Sequence, residues 1–321
     1  MKKQLLPLFI IVLTFPLFAQ FDGPVGTEGC QAIEYNNPEI KGWATGCEVF
    51  RGYQDIATMV EVASYGTPED AIGEPDPAGM AVVSLGDSGV AILSFGLSIT
   101  NGDGYDFAVF ENSFSNTSLE LGFVEVSSDG EHWVRFPATS NTPSEVQVGG
   151  FGIIDAIRIN NFAGKHKAGW GTPFDLEELR DSTGIDVNNI NYVKIIDVIG
   201  AIDPQFAQYD THGNIVNDPY PTDFASSGFD LAGVAVLNGW RLTSIPKYNI
   251  EQISIFPNPC TEIVIIRDIA ENEDIFLYNV LGGKLYENRS LGNEVRIDMQ
   301  TFPAGVYLLK VGNSTNKIIK R

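Results

Sequence analysis

Cysteine and histidine, the residues of most zinc and thiol centres, are scarce in this sequence. The 321 residues include three of each, and no two of them stand at the spacing of a zinc motif. The spacing therefore predicts neither a zinc site nor a zinc-protease helix. We found no complete catalytic motif of another kind, so we expect a protein that is not an enzyme.

One short segment is typical of a nucleophile. Gly86-Asp87-Ser88-Gly89 matches the residues around the catalytic serine of chymotrypsin-like proteases. Those enzymes need a histidine and an aspartate earlier in the chain, yet the first histidine here is His132. We interpret the segment as a tight turn of a hairpin between strands at residues 81–85 and 90–95. Polysaccharide hydrolysis by paired carboxylates stays open, because spacing across strands is invisible in a sequence.

Basic residues are scarce as well. Twenty lysines and arginines stand against 41 aspartates and glutamates, which gives a net charge of −21. Residues 20–249 carry −22 and residues 250–321 carry −1. An acidic surface repels phosphate backbones, so we expect no nucleic-acid partner. The carboxylates either keep the protein in solution outside the cell or bind Ca²⁺, and the sequence leaves both open.

Long apolar runs are missing after the first twenty residues. Lys2 and Lys3 precede an apolar run at residues 5–18, and the small residue Ala19 follows at a cleavage position. This pattern predicts a signal peptide over residues 1–19 and a mature chain that begins near Gln20. No later run reaches the ~18 apolar residues of a membrane span. We therefore expect an exported protein without a transmembrane segment.

Runs rich in helix-forming residues are absent, whereas 33 glycines and 11% aromatic residues favour short strands joined by turns. We therefore predict an all-β protein. Residues 20–80 look irregular, and about eight strands over residues 81–239 predict a jelly-roll-like β-sandwich. A linker over residues 240–250 leads to about seven strands in residues 251–321, which predict a small immunoglobulin-like β-sandwich.

The predicted export of the chain bears on its three cysteines. Cys30 and Cys47 stand in an early, glycine-rich segment of an exported chain. Disulfides form in the oxidising compartments that such chains enter, so we predict a bridge between these two residues. Cys260 remains unpaired in this prediction.

Three motifs follow in order near the C-terminus: ISIFPNP at residues 253–259, FLYNVLGGK at 276–284 and PAGVYLLKV at 303–311. Their signature residues are Pro257, Asn258 and Pro259, then Gly282 and Lys284, then Gly305, Tyr307 and Lys310. Behind a signal peptide, this order resembles the type A C-terminal sorting domain of the type IX secretion system of Bacteroidetes. Asn279 departs from the family, which usually has Asp at that position.

The resemblance implies partners and a location. Proteins with such a domain cross the outer membrane through the type IX secretion machinery, and a sortase then removes the domain. The mature protein is anchored to surface lipopolysaccharide or released. We therefore expect a secreted or cell-surface protein that contacts this machinery and its sortase, with the cargo in the residues before the linker.

An aromatic residue, Asp and an apolar residue recur in that order three times in the cargo, around Asp106, Asp175 and Asp230. In a strand the flanking residues share one face and the Asp points to the other. Hard oxygen ligands on turns suit calcium, which we predict as a cofactor. The predicted ligands are Asp103, Asp106, Glu111, Asp175, Asp210, Asn214, Asp218 and Asp230. The alternative is that each carboxylate caps a turn through backbone N–H groups.

Trp170 stands in a glycine-flanked loop close behind His166. An exposed ring would stack on a sugar, so we predict both residues as ligand contacts. VSSDGEHW at residues 126–133 resembles a strand-turn-strand of discoidin-like, galactose-binding jelly rolls, and residues 84–238 resemble bacterial cell-surface proteins. These resemblances imply a fold and a location only. We expect a binding or adhesion module for a glycan or an extracellular protein; the alternatives are a hydrolase and a nutrient-capture or structural component of a surface complex.

Overall fold

The computed structural model describes residues 21–240, 254–267, 269, 272–279, 283–312 and 314–321. The chain divides into two compact units, Met1–Arg241 and Leu242–Arg321. The predicted signal peptide, the predicted linker after Trp240, and Gly282 lie outside the described residues.

The described part of the first unit consists of strands, turns and three short 3₁₀ helices, which confirms the all-β prediction. The 3₁₀ helices are Pro68–Ala71, Ala156–Arg158 and Leu176–Leu179. The strands in chain order are β1 Ile33–Glu34, β2 Gly42–Phe50, β3 Val83–Ser84, β4 Val90–Ile99, β5 Phe107–Glu111, β6 Gly122–Ser127, β7 Val134–Arg135, β8 Thr139–Ser140, β9 Ile159–Asn160, β10 Trp170–Phe174, β11 Ile190–Asp197, β12 Asp230–Val236 and β13 Gly239–Trp240.

Most of these strands join one large, curled antiparallel sheet, as expected for a β-sandwich. Its order is β1-β10-β5-β12-β2-β4-β11-β6-β7, with β3 beside β12 and β13 beside β4. The two other strands, β8 and β9, pair with each other. The strand-turn-strand that residues 126–133 resemble is present, because a turn at Asp129 and Gly130 joins the antiparallel strands β6 and β7.

Strand β2 corrects the prediction that residues 20–80 are irregular. It lies between β12 and β4 near the middle of the sheet. Its glycines weaken the strand pattern in the sequence. A Cβ atom on Gly42 would lie 2.8 Å from Cδ2 of Leu97, and one on Gly46 would lie 2.6 Å from Oγ of Ser94. A larger residue at either position would therefore require the facing side chain on β4 to move.

The predicted hairpin between β3 and β4 is wrong. β3 pairs with β12, whereas β4 pairs with β2 and β11. The turn between β3 and β4 is stabilised by hydrogen bonds to carboxylates and not by pairing of the two strands. The backbone N–H of Ser88 donates to Oδ2 of Asp197 at 2.9 Å, and Oδ2 of Asp87 accepts from the N–H of Ile56 at 2.7 Å.

Phenylalanine rings fill the core behind β5 and β10. Phe107 and Phe174 stack with their ring centroids 5.1 Å apart, and Phe136 meets both rings edge-on. All three are buried, and each such burial stabilises the fold by about 1.5–3 kcal/mol. Because β5 also pairs with β12, this core holds the ends of both strands in place.

The described part of the second unit has seven strands, in agreement with the prediction. They are β14 Ser254–Phe256, β15 Ile263–Arg267, β16 Asp274–Asn279, β17 Lys284–Arg289, β18 Glu294–Asp298, β19 Gly305–Val311 and β20 Ser314–Lys320. One sheet has the order β14-β15-β18 and the other β17-β16-β19-β20. Ile266 of the first sheet and Leu309 of the second belong to one buried core, as in a small β-sandwich.

Candidate functional site

A cleft opens where β5 ends and β12 begins. Glu111 is the last residue of β5, and its register partner on β12 is Leu231, which follows Asp230. Glu111, Asp230 and Glu120, which precedes β6, line a cavity of about 560 Å³. Small-molecule sites usually have volumes of about 300–1,000 Å³, so this acidic cleft has the size of a ligand site.

Two side chains from distant parts of the chain orient Asp230. Ser84 Oγ donates a short hydrogen bond to its Oδ1, and Asn112 Nδ2 donates to its Oδ2 at 3.1 Å. Burial raises the pKa of Asp230 to about 6, against the opposing effects of these two hydrogen bonds and of the Arg51 guanidinium. The carboxyl group is therefore oriented before any ligand arrives.

Glu111 is more deeply buried than Asp230. The backbone N–H of Ser113 donates to its Oε2 at 2.8 Å, and the Ser113 hydroxyl donates to the same oxygen. Oε1 is buried without a hydrogen-bond partner. Burial raises the pKa of Glu111 to about 8, and the charge of Asp230 adds to the rise. Near neutral pH, Glu111 therefore holds a proton while Asp230 is largely ionised.

Glu120 supplies the third carboxyl group of the cleft. Its side chain has no hydrogen-bond partner among the described residues. Burial raises its pKa well above the usual range, and repulsion from Glu111 and Asp230 raises it further. This side chain can turn to a ligand without breaking a bond within the protein.

Two further carboxyl groups, Asp218 and Asp197, contribute to that repulsion. Asp218 Oδ2 accepts from the N–H of Leu121 at 3.0 Å, while its Oδ1 is buried without a partner. Asp197 Oδ1 accepts from the N–H of Phe229 at 2.6 Å. Burial raises the pKa of both groups well above the usual range. A dense group of carboxyls with raised pKa values therefore lies in and behind the cleft.

The rim of the cleft is aromatic and open to solvent. Phe114 and Phe151 line it and are 87% and 93% exposed. Phe151 stacks on Phe224 with the ring centroids 5.9 Å apart. Tyr65, from the segment before β3, also lines the cleft. Its hydroxyl donates to the carbonyl of Met80 at 2.9 Å. The cleft thus combines a polar floor with flat apolar faces at its mouth.

The structure brings only some of the predicted calcium ligands together. Glu111 and Asp230 line the cleft, and Asp218 lies close enough for its charge to act on both Glu111 and Glu120. Calcium binding by these residues stays a prediction.

The other predicted ligands act at turns away from the cleft. Asp106 Oδ2 accepts from the N–H of Leu176 at 2.7 Å, and Asp175 begins the 3₁₀ helix Leu176–Leu179 by accepting from Glu177. Asp210 accepts from the backbone N–H groups of Ser140, His212 and Asn214, and the Asn214 side chain donates to it as well. Asp103 is exposed in the loop before β5. The turn-capping alternative therefore describes the first three aspartates.

Trp170 and His166 lie outside the cleft. Trp170 is half-buried on β10, where it pairs with Glu34 of β1. The His166 side chain is fully buried, so an exposed loop is not its setting. Their role as ligand contacts stays a prediction.

The predicted disulfide is absent from the structure, since Cys30, Cys47 and Cys260 are all free thiols. Cys47 lies on β2 and packs against the main core, and burial raises its pKa to about 12. Cys30 lies instead beside Asp22 and His166. Although the two cysteines are close in sequence, Cys47 lies on the central strand β2, whereas Cys30 lies on the N-terminal segment.

Several residues of the cleft carry no signal that a single sequence could reveal. Glu120, Ser84 and Phe151 stand in different segments and belong to no motif. Their common location depends on the pairing of β12 with both β3 and β5.

The sorting motifs of the second unit meet on the pair of strands at its end. Asn258 Nδ2 donates to the carbonyl of Lys317 at 2.7 Å, and its Oδ1 accepts from the N–H of Ile319 at 2.9 Å. Tyr307 is buried, and its hydroxyl donates to the carbonyl of Pro303. Lys284 and Lys310 remain exposed. Residues 254–321 match the family model described as a secretion system C-terminal sorting domain.

The second unit is a type IX sorting domain. It indicates export through the type IX secretion system, contact with that machinery, and a location that is secreted or at the cell surface. The structure has no helix among its described residues that is long and apolar enough to cross a membrane. The sorting domain covers the C-terminal part of the chain only, and it leaves the activity of the cargo open.

Comparison with other proteins adds little about the cargo. No curated protein matches the sequence. One solved structure that the chain matches is that of PorZ. PorZ is described as an essential bacterial surface component of the type IX secretion system of human oral-microbiomic Porphyromonas gingivalis. The match has 12% identity and a TM-score of 0.22, and it covers 39% of this chain and 20% of the PorZ chain. A likeness at this level carries no argument about function.

Proposed function

We propose that the first unit is a non-catalytic binding module for glycans, which the sorting domain delivers to the cell surface, and that the acidic cleft holds a sugar unit. One observation supports this proposal above the others. Carboxyl groups form the floor of a cavity of about 560 Å³, and exposed phenylalanine rings stand at its rim.

The chemistry of a sugar suits both parts of the cleft. Carboxyl and amide groups form hydrogen bonds with hydroxyl groups, and Glu120, which lines the cleft, has unused capacity. The apolar face of a sugar ring packs on flat aromatic rings such as those of Phe114 and Phe151. Because Asp230 is already oriented by Ser84 and Asn112, binding costs little ordering of the floor.

Calcium is part of the proposal as a stabilising ion near the cleft. Glu111 Oε1 and Asp218 Oδ1 are buried without partners, and a hard cation is the partner that carboxylate oxygens favour. A bound ion would also allow these carboxyls to release their protons. Unfolding curves with saturating Ca²⁺ and with chelator measure this. We expect a higher melting temperature with Ca²⁺, and equal temperatures would remove the ion from the proposal.

A second candidate function is glycoside hydrolysis. The observation that favours it is the offset between Glu111, with a pKa of about 8, and Asp230, with a pKa of about 6. Such a pair can provide a protonated acid and an ionised base or nucleophile at one pH. Release of reducing sugar from a bound glycan, lost in Asp230→Asn, would replace the binding proposal with this one.

The decisive experiment is a glycan array probed with the chain from Gln20 onward, followed by calorimetric titration of each glycan that binds. Glu120→Gln replaces a carboxyl group of the cleft floor with an amide and is expected to weaken binding by about tenfold, the value of one hydrogen bond. Glu131→Gln is the matched control, because Glu131 is exposed and does not line the cleft.

Two results would contradict the glycan proposal. The first is an array without any bound glycan, with the protein folded by circular dichroism. The second is a glycan whose affinity is unchanged in Glu120→Gln and in Asp230→Asn. Binding of an extracellular protein in place of a glycan would assign the cleft to the protein-binding alternative.

A further inference from the structure

A second polar cluster lies apart from the cleft, near the start of the described chain. Asp22, Cys30 and His166 each place a ligand-type atom within 4.8 Å of the atoms of the other two. Among the described residues, these three form a cluster of potential metal ligands. None of them lines the cleft. The first two stand on the N-terminal segment and the third on the loop before β10.

The histidine of this cluster lacks the partners that buried histidines usually have. The His166 side chain is fully buried, and neither Nδ1 nor Nε2 has a hydrogen-bond partner. Unpaired buried nitrogen atoms are rare in native proteins. Nε2 lies 3.9 Å from Oδ2 of Asp22, which is too far for a hydrogen bond and leaves room for an ion between the two atoms.

The carboxylate of the cluster is already held in place by its neighbours. Asp22 divides its two oxygens between two directions. Oδ1 accepts from the Lys165 ammonium, and Oδ2 faces His166 and accepts from the N–H of Gln31 at 3.1 Å.

We propose that Asp22, Cys30 and His166 form a zinc site, with a water molecule in the fourth position. One sulfur, one nitrogen and one oxygen ligand match the borderline-soft character of Zn²⁺ better than that of Ca²⁺ or Mg²⁺. On binding, the Cys30 thiol loses its proton to solvent and a zinc–sulfur bond forms. The Lys165 ammonium stays with Oδ1 of Asp22 and orients the carboxylate, as an outer-shell partner does.

The site would tie the N-terminal segment to the loop of His166. Phe21 already anchors this segment, because its N–H donates to the carbonyl of Ile157 at 3.0 Å. The site is independent of the cleft and of the glycan proposal, so either proposal can fail without the other.

The test uses the chain from Gln20 onward, treated with chelator and kept reduced, and titrated calorimetrically with Zn²⁺. We expect one ion per chain. Cys30→Ser and His166→Gln should each weaken binding by more than the roughly 10- to 100-fold that loss of an outer-shell partner causes. Cys47→Ala and His132→Gln are the matched controls, because they remove a cysteine and a histidine that lie outside the cluster.

A second measurement covers the case in which His166→Gln does not fold. Titration of the unaltered chain with Co²⁺ should produce a thiolate-to-cobalt charge-transfer absorption, which Cys30→Ser removes and Cys47→Ala keeps. Two results would overturn the zinc site: no metal bound at stoichiometric concentration, or binding that is equal in the unaltered chain, Cys30→Ser and His166→Gln.

Discussion

Asn112 and Asp230 are 118 residues apart in the chain, and the Nδ2 atom of the first donates to Oδ2 of the second at 3.1 Å. Asn112 also donates to the carbonyl of Gly79 at 3.2 Å. One amide group thus joins the end of β5, the start of β12 and the segment before β3. The floor of the cleft depends on this junction.

The junction predicts the effect of removing the amide. Asn112→Ala leaves Asp230 and the Gly79 carbonyl short of a donor in a buried site. We expect the free energy of unfolding to fall by about 1–3 kcal/mol, measured by urea denaturation. Gln205→Ala, at an exposed position, should change it by less than about 0.5 kcal/mol. Equal stability of the two variants would show that the amide contributes nothing.

The carboxyls of the cleft predict a pH dependence of stability. Glu111 has a pKa of about 8 in the folded protein and about 4.5 in the unfolded chain, so the folded state holds more protons between these values. Stability is therefore highest below about pH 4.5 on this account and falls as the pH rises towards 8, by up to about 1.4 kcal/mol per pH unit for each such group.

Glu111→Gln removes one of these titrations at nearly constant volume. We expect a shallower decline of the unfolding free energy between pH 5 and pH 8, as urea denaturation in the presence of chelator would measure. Glu131→Gln, at an exposed site, should keep the original slope. A slope that is unchanged in Glu111→Gln would mean that Glu111 is ionised in the folded protein throughout this range.

The aromatic rim predicts a change that separates binding from stability. Phe151 is 93% exposed, so Phe151→Ala removes little buried surface and should leave the melting temperature within a degree or two. If sugars stack on this ring, the dissociation constant rises by about tenfold. Leu291→Ala, at another exposed apolar residue, is the control and should leave both quantities unchanged. Normal binding by Phe151→Ala would exclude stacking on this ring.

The sorting domain predicts where the protein accumulates. A chain without residues 254–321 should remain in the periplasm of a type IX secreting bacterium, whereas the full chain should reach the surface or the medium. Fractionation and surface proteolysis measure the difference. Lys310→Ala tests one residue of the sorting motif without removing the domain. Lys310 is exposed, so the core residues Tyr307 and Leu309 are left intact. Surface delivery of the truncated chain would contradict export by this domain.

Much of the second unit could be predicted from the sequence. Its motifs and strand alternation are local, and its described residues contain seven strands, as the sequence predicts. In the first unit the sequence predicts that strands are present, but not which strands pair with each other. The pairing of β3 with β12 is an example, because a tight turn beside β3 favours a hairpin until a distant strand competes for the same edge.

The sequence by itself determined the all-β class, the sorting motifs, the acidic cargo and the near-neutral sorting domain, because composition, alternation and motifs are properties of short segments. Only the tertiary structure decided which polar residues meet. It joined Glu111, Glu120 and Asp230 in one cleft, separated Cys30 from Cys47, and placed Cys30 beside Asp22 and His166. The physical reason is that strand pairing and core packing bring together side chains whose separation in the chain carries no periodic signal.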